Sequence, residues 1–525
     1  MSQQYVEGRV RLIGMLIATC GAATSVFLTL GVTFSGAPQI AAALRADQAD
    51  LQWIGDVYPL VVAAILLPAG VLGDRLGRKK ALVAGTAVLA AGMFLVARAD
   101  SPGAMISALF FSALGAGVAF PATLATITVA VAPARRSTAV GIWAAAVPMG
   151  GMVGTLIGGV LITVTDTWRA GYVVLGVLAV VFALLAVVAV PETRDPVRQP
   201  LDPVGVVLSV VGIAALVLGV TEGPSHGWTD PGTLGRLALA AVALAAFVRW
   251  ELSRSRPLLD LRLFREEGVA PAAVAIWAVF FGIYAMAFLS FQYLAFALEF
   301  SALRAALGLL PFGATMIPLA VLGPRLAARY GTRAVVAASL LAGAIGASLS
   351  GVLAVWHGYW GLAIGLAVLG AIGLGGGPVT EEITCRLPAA KQGVASAVNN
   401  LTRELGAVFG VAFTGTAFNI GYRHEISSAL DPAADPLAAL AQDSPAAGFA
   451  AAGQAGTEAP TYLTAVLDGV DTGWLAAMGT VAAFSALATV YFLARYPGRE
   501  TVTTDDGVAS GEVRDPRPTA TAASG

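Results

Sequence analysis

Apolar residues run in long, unbroken stretches along this chain, with neither the alternation of a half-buried strand nor the narrow stripe of a surface helix. About 20 such residues cross a bilayer core as a helix. Lipid admits only helices or closed barrels, because the backbone finds no other hydrogen-bond partner there. The stretches are rich in Ala, Leu and Val and lack a period of two, so they predict helices. Fourteen spans are expected, at residues 12–36, 51–72, 81–98, 103–131, 137–163, 170–190, 204–221, 234–250, 270–297, 303–324, 333–355, 358–380, 394–420 and 472–494. The first is too long for a signal-peptide core and shows no clear cleavage site.

Basic residues orient the spans. With both termini cytoplasmic, the predicted inner segments hold 24 of the 31 Lys and Arg residues, the outer ones six, and Arg403 lies inside a span. An odd number of spans would scramble that bias. The expected organisation is a cytoplasmic N-terminus (1–11), a six-helix half (12–190), two inserted helices (204–250) and a second six-helix half (270–494). Residues 421–471, rich in Ala, Asp and Pro, read as an extracellular loop with room for a short helix or hairpin. Residues 498–525 read as a disordered cytoplasmic tail.

Composition narrows the function. The chain has 525 residues, of which 57% are hydrophobic and 12% charged, against about 25% charged in a soluble domain. Net charge is −1, so no basic field invites nucleic acid. A soluble enzyme, a DNA binder and a secreted module are poor readings. Two Cys and three His, far apart, give neither a disulfide framework nor a metal site. No G-x-x-x-x-G-K-[ST] loop is present, which argues against ATP hydrolysis, and no cofactor is expected. The 28 Arg against three Lys, with abundant Ala and Gly, suggest a GC-rich genome and a bacterial cytoplasmic membrane. The chain reads as a monomer in the lipid bilayer.

An internal repeat follows from two loops. After the second span the chain reads Gly70-Val-Leu-Gly73-Asp74-Arg75-Leu-Gly77-Arg78-Lys79-Lys80. After the tenth it reads Pro324-Arg-Leu-Ala-Ala-Arg-Tyr-Gly331-Thr-Arg333. Superposing Gly77 on Gly331 matches Leu72 with Leu326, Arg75 with Arg329 and Lys79 with Arg333. Such self-similarity marks a transporter built from two related halves. The glycines permit a tight turn and close helix approach. Asp74 suits a neighbouring helix N-terminus, where the dipole favours an anion. A charge lock of this kind can break and re-form between two states; the plainer reading is a topology anchor.

These features resemble the major facilitator superfamily, and the fourteen spans resemble its 14-helix drug:proton antiporter branch, which includes quaternary-ammonium and multidrug efflux pumps. The resemblance covers about residues 10–495. GVLGDRLGRKK is similar to the superfamily's signature loop, QWIGDVYPL (52–60) to the branch's second helix, PLLDLRLFR (257–265) to its re-entry into the second half, and GVASAVNNLTRELGAVFGVAFTG (393–415) to its penultimate helix. The fifth span carries the antiporter glycine spacing, Gly141, Gly150, Gly154, Gly158 and Gly159, with Thr155 where that motif has Pro. Gly150, Gly154 and Gly158 share one helical face and allow another backbone to come close. The resemblance implies that this helix seals or bends as states exchange; ordinary Gly/Ala packing is the plainer alternative. Two positions depart from the family. Thr29 stands where its pumps often have an Asp in helix 1, and Phe111 stands where an Arg often precedes Gly115.

Ionisable groups at membrane depth are costly, and each is a functional candidate. Asp56 lies about 8 Å into the second span, a depth that suits reversible protonation, unless it belongs to a wet outer mouth. Glu381 and Glu382 follow the glycine run 373–378, expected to be flexible, at the inner end of the twelfth span. Glu404 and Arg403 sit in the thirteenth, with Asn399–Arg403 and Asn400–Glu404 at pairing distance along the helix. They line a cavity, form a gate, or make a structural ion pair. Ser25, Thr29 and Thr33 form a polar stripe that faces the cavity or bonds its own backbone. Trp277, Phe281, Tyr284 and Phe288 form an aromatic stripe suited to stacking a substrate or to packing, and Gln292 adds a hydrogen-bonding end.

The leading expectation is a secondary active exporter of lipophilic or amphipathic small molecules, working by alternating access, with protons as the implied counter-ion and Asp56 the preferred carrier. A dedicated exporter or uptake carrier of one metabolite is the second reading, and a non-transport membrane scaffold or enzyme the third. The orientation has a direct test. In a chain with Cys20 and Cys385 replaced by Ser, impermeant maleimide should label Asp166→Cys in intact cells and Lys79→Cys only in inverted vesicles. Labelling of both from one face would overturn it.

Overall fold

The computed structural model describes residues 9–46, 48–193, 202–254, 257, 259, 261–265, 268–385, 392–432 and 435–497. The described residues form helices and no strands. The expected disordered tail at 498–525 lies outside them. The helices of the first half are α1 (Arg9–Leu44), α2 (Gln48–Leu76), α3 (Arg78–Ala97), α4 (Pro102–Ala130), α5 (Pro133–Thr165) and α6 (Arg169–Ala189). An intervening pair follows, α7 (Pro203–His226) and α8 (Pro231–Ser253). The rest comprises α9 (Val269–Phe296), short α10 (Ala302–Gly308), α11 (Leu310–Tyr330), α12 (Thr332–Leu369), α13 (Gly373–Cys385), α14 (Gln392–Ala429), short α15 (Pro436–Asp443) and α16 (Pro445–Gln454), and α17 (Ala459–Arg495). Helix starts repeat one device, a polar cap followed by Pro in the first turn. Ser101 accepts from Ala104 N, Asp202 from Gly205 N, and Asp230 from Gly232 N and Thr233 N.

Among the described residues, thirteen helical stretches are long and apolar enough to cross a membrane. One of them, Thr332–Thr384, is 53 residues long. It reverses at Gly358 (φ 55°, ψ −135°). Its arms pack back to back, since a Cβ on Gly365 would strike Ser350 and one on Gly346 would strike Leu369. The expected spans 333–355 and 358–380 are these two arms. The glycine run 373–378 is helical and mostly buried rather than flexible. Ser339 Oγ donates to Ile372 O (2.6 Å) and accepts from Gly375 N (3.0 Å), which holds the run in place.

The segment expected as a loop at 421–471 is largely helical. α14 continues to Ala429, α17 begins at Ala459, and α15 and α16 fill the space between. Tyr422 OH donates to Ala441 O (2.8 Å), tying that cap to α14. The tenth expected span divides instead into α10 and α11, with Ser301 capping the first and Pro311 opening the second.

The repeat is visible in the backbone. Gly77 joins α2 to α3 at φ 116°, ψ 129°, and Gly331 joins α11 to α12 at φ 90°, ψ 144°. Positive φ is open to glycine and strained for other residues, so the two aligned glycines make the same turn. Each copy is tied to the last helix of its own half. Arg78 N donates to Thr193 O (2.8 Å), just beyond α6, and Arg333 Nη2 to Leu493 O (2.6 Å) in α17.

Within the first half, α5 lies against α1 along the glycine face. A Cβ on Gly150 would sit 2.6 Å from Thr24 O, and one on Gly154 2.9 Å from Leu28 Cα. Gly158 faces Ser35 and Val32 of the same helix, whereas Gly159 looks into open space. Gly141 instead faces α11, where a Cβ would come 3.1 Å from Pro324 Cγ. Helices α2, α4 and α5 of the first half meet α11, α13 and α14 of the second. The pair α7–α8 sits beside that seam, and α7 packs on both α2 and α14. Its apolar core joins Leu60, Leu67, Ile213, Val217 and Phe247 to Val398.

The close α1–α5 contact predicts opposite outcomes at neighbouring glycines. Gly154→Val should lower the melting temperature of the purified protein, at a cost of about 1–3 kcal/mol or more for overpacking. Gly151→Ala, which meets nothing within 4 Å, should be neutral or slightly stabilising. Tryptophan-fluorescence melts of the two variants would check this.

Candidate functional site

At the seam, one stretch of α14 carries Asn399, Asn400, Arg403 and Glu404, all buried. Arg403 is 1% exposed, an expensive position for a guanidinium. It does not bond Asn399 one turn back. Its Nη2 reaches across to Thr380 Oγ1 of α13 (2.5 Å). Its guanidinium lies over two rings, Trp143 of α5 at 4.8 Å and Phe280 of α9 at 4.5 Å, so the cation bridges the halves by cation–π contact. Asn399 Nδ2 bonds its neighbour Asn400 Oδ1 (3.4 Å). The two i, i+4 pairs expected along this helix are therefore not what holds these side chains. Nor does Arg403 form an ion pair with Glu404 within 4.0 Å among the described residues.

Aromatic residues from both halves wall the cluster. Phe27 of α1 packs edge-on against Phe120 of α4 (5.4 Å) and meets Tyr284 of α9 (6.1 Å). Phe120 stacks on Trp143 (5.8 Å), whose Nε1 donates to Thr123 Oγ1 (3.0 Å). Helix α2, which carries the buried Tyr58, packs on α14, and the hydroxyl of Tyr284 on α9 is buried at the same seam. Several polar atoms here are buried without a hydrogen-bond partner: Tyr58 OH, Tyr284 OH, Asn399 Oδ1, Asn400 Nδ2, and Arg403 Nε and Nη1. Buried polar atoms are ordinarily satisfied, so this concentration is unusual.

The other expected residues are distributed around this centre. Tyr284 joins it, but Trp277 packs with Phe281, Phe409 and Phe484 among α9, α14 and α17, inside the second half. Gln292 is half-buried near the far end of α9, beside Tyr293, whose OH donates to Asp471 Oδ1 (2.9 Å). Thr29 Oγ1 bonds Ser25 O (3.2 Å), and Thr33 Oγ1 bonds Thr29 O (2.8 Å) and Tyr172 OH (2.8 Å). The stripe thus mostly serves its own backbone.

Asp56 lies at the end of the bundle opposite the signature loop. It lines a pocket of about 290 Å³ with Trp53, Glu222, His226, Asp230 and Arg236. Glu222 and Arg236 form an ion pair there. Sequence reasoning found Asp56 but not its partners on α7 and α8, which become neighbours only through packing.

At the signature-loop end, Asp74 and Arg78 are both buried and pair through one carboxylate oxygen, with Nε at 2.9 Å and Nη2 at 2.5 Å. Gly77 between them sits at φ 116°, a conformation strained for any residue with a side chain. Gly70 and Gly73 are carried on α2, and Arg75 is half-buried in its last turn. Near the same end, Ser137 Oγ of α5 donates to Glu381 Oε1 of α13 (2.5 Å), a hydrogen bond between the halves. Glu382, its neighbour, is half-buried.

Tyr58, Trp143, Phe27, Phe280 and Thr380 were not singled out from the sequence. Tyr58 lies within the QWIGDVYPL stretch (52–60) already marked by its likeness to the branch's second helix.

A polar cluster held at the seam between two related helical bundles is where transporters built from repeats place their site. The chain belongs to the major facilitator superfamily, whose family model, "Major Facilitator Superfamily", matches residues 16–411. It is a multi-pass protein of the cell membrane. It is 29% identical over 406 residues to the multidrug resistance protein Stp of Mycobacterium tuberculosis, spanning 76% of this chain and 75% of that one. It is 31% identical over 426 residues to the multidrug efflux pump LfrA of Mycolicibacterium smegmatis, spanning 78% and 83%. The fold is similar to that of the proton:xylose symporter XylE, with a TM-score of 0.59 and 14% identity over 93% of this chain and 96% of that one.

The Asp74–Arg78 pair predicts a non-additive double mutant. Asp74→Asn should destabilise the protein by about 3–5 kcal/mol, the range for breaking a buried ion pair. Asp74→Asn combined with Arg78→Met should recover much of the loss. Thermal melts of the single and double variants would measure it.

Proposed function

We propose that this protein is a secondary active exporter of lipophilic and amphipathic small molecules, driven by proton antiport. The observation that carries the reading is the buried polar and aromatic cluster at the seam. A ligand seated there touches both halves and is exposed to one side or the other as they rock. The relatives named as multidrug pumps support the direction of transport. Counting both arms of the Gly358 hairpin as separate crossings supports fourteen spans with both termini on one side, and the bias of basic residues makes that side the cytoplasm in this reading. The protein works as a monomer in the bilayer, because each half already packs its own six spans.

Glu404 is the coupling carboxyl in this scheme. It is buried beside Arg403 at the seam, where the charge of one group alters the cost of burying the other. Asp56 sits in the outer pocket and serves as the proton's entry from that side. Ser137–Glu381 closes the cytoplasmic end in this state, and Asp74–Arg78 holds the signature loop while it is closed. The fifth-helix glycines let α5 slide on α1. A dedicated exporter of one metabolite is the second reading. Thr29 favours it, since this position brings no carboxylate for a cationic drug.

Purified protein in liposomes loaded with a pH-sensitive dye tests the coupling. Under an imposed proton gradient, added substrate should drive proton flux in the wild type. Glu404→Gln should abolish that flux while leaving substrate counterflow intact, and Asp56→Asn should slow it. Flux that survives in Glu404→Gln and vanishes in Asp56→Asn would move the coupling role to Asp56. No substrate-linked flux at all would remove proton antiport from the mechanism.

A further inference from the structure

The unmet hydrogen bonds at the seam specify a ligand. Three of the five guanidinium N–H donors sit on Nε and Nη1, and neither atom has an acceptor. Asn400 Nδ2 and the hydroxyls of Tyr58 and Tyr284 are buried and unpartnered as well. Against these donors stand one unpartnered amide oxygen, on Asn399, and the Glu404 carboxylate. The guanidinium and amide N–H groups can only donate, and each tyrosine hydroxyl can donate as well as accept. Charge narrows the choice further. A cation placed among these groups meets the guanidinium, and an anion meets the Glu404 carboxylate when that group is ionised. The walls are flat rings contributed by both halves, Phe27, Trp143 and Phe280.

We propose that the seam site, as the halves part, binds uncharged, oxygen-rich aromatic molecules, whose carbonyl or ether oxygens take up the free donors of Arg403 and the two tyrosines while their rings pack on the aromatic walls. This deepens the exporter reading by naming its substrate class, and it sets that class apart from quaternary ammonium cations.

The test compares three probes of similar size: flavone, its oxygen-free analogue 2-phenylnaphthalene, and the cation ethidium. Equilibrium dialysis of each against the full chain in nanodiscs, with protein-free nanodiscs subtracted, measures specific binding. Flavone should bind saturably and at least ~10-fold more tightly than either other probe, since each bond to a charged donor contributes strongly when its loss leaves a buried group unmet. Arg403→Gln should weaken flavone ~10-fold or more and leave 2-phenylnaphthalene unchanged, and Tyr284→Phe should weaken flavone alone by a smaller factor. Should Arg403→Gln fail to elute as a folded species, Arg403→Lys keeps the charge, loses the planar fork, and should show the same selective loss. Equal binding of flavone and the hydrocarbon, tighter binding of ethidium, or flavone binding indifferent to Arg403 would each overturn the proposal. Counterflow in liposomes separates the two ideas. Ethidium counterflow without flavone counterflow would sink the ligand class and leave the exporter. Flavone binding without counterflow of any probe would sink the exporter and leave the ligand class.

Discussion

Hydrocarbon offers no partner to a backbone N–H or C=O, so every crossing segment must close its own hydrogen bonds as a helix. The rest of the molecule depends on that constraint. Helices in lipid gain little from the hydrophobic effect on meeting each other, so they associate by close packing and a few polar contacts. This is why glycine is placed as it is. Gly150 and Gly154 bring the backbone of α5 against Thr24 and Leu28 of α1, and Gly77 and Gly331 turn the chain where no side chain fits easily. Polar side chains are few, and most hydroxyls in the helices return to a carbonyl one turn earlier, as in Thr29, Thr33 and Thr414.

Against that background the seam stands apart. Within each half, helices are joined mainly by apolar and small side chains. Between the halves lie Arg403 with its two rings, the Ser137–Glu381 hydrogen bond, and hydroxyls and amides without partners. A surface that must open and reclose is better served by such contacts than by a large apolar interface, because water or substrate can replace a hydrogen bond when the halves part. The pair α7–α8 lies across one side of the seam, touching α2 and α14. Trp228 at its turn also donates to Thr416 of α14 (3.0 Å). Any rocking of the halves must therefore be accommodated along α7.

The two copies of the repeat are not equivalent. Both keep the positive-φ glycine and a tie to the last helix of their own half. Only the first keeps the acid, and Asp74 pairs with Arg78 where the second copy has Ala328. The buried Asp74–Arg78 pair thus has no counterpart acid at the aligned position of the second half.

Helical character, the signature turn and the α5 glycine face were legible in the chain because each is a local property. Hydropathy over about 20 residues, a four-residue glycine period and a positive-φ turn are all written in contiguous residues. Gly358, at the reversal of the longest helical stretch, shows the limit of that reading. The two arms were expected, but not that one residue would suffice to join them. The site needed the tertiary structure. Arg403 and Glu404 stood out as charges in an apolar helix, yet their neighbours on that helix did not become their partners. Thr380, Trp143, Phe280 and Tyr58 come from four other helices. Asp56 likewise looked like a lone buried acid and proved to share a pocket with α7 and α8. Sequence spacing sets which residues share a helix face. Which face meets which is decided by packing among helices far apart in the chain, and that packing alone turns scattered polar residues into a site.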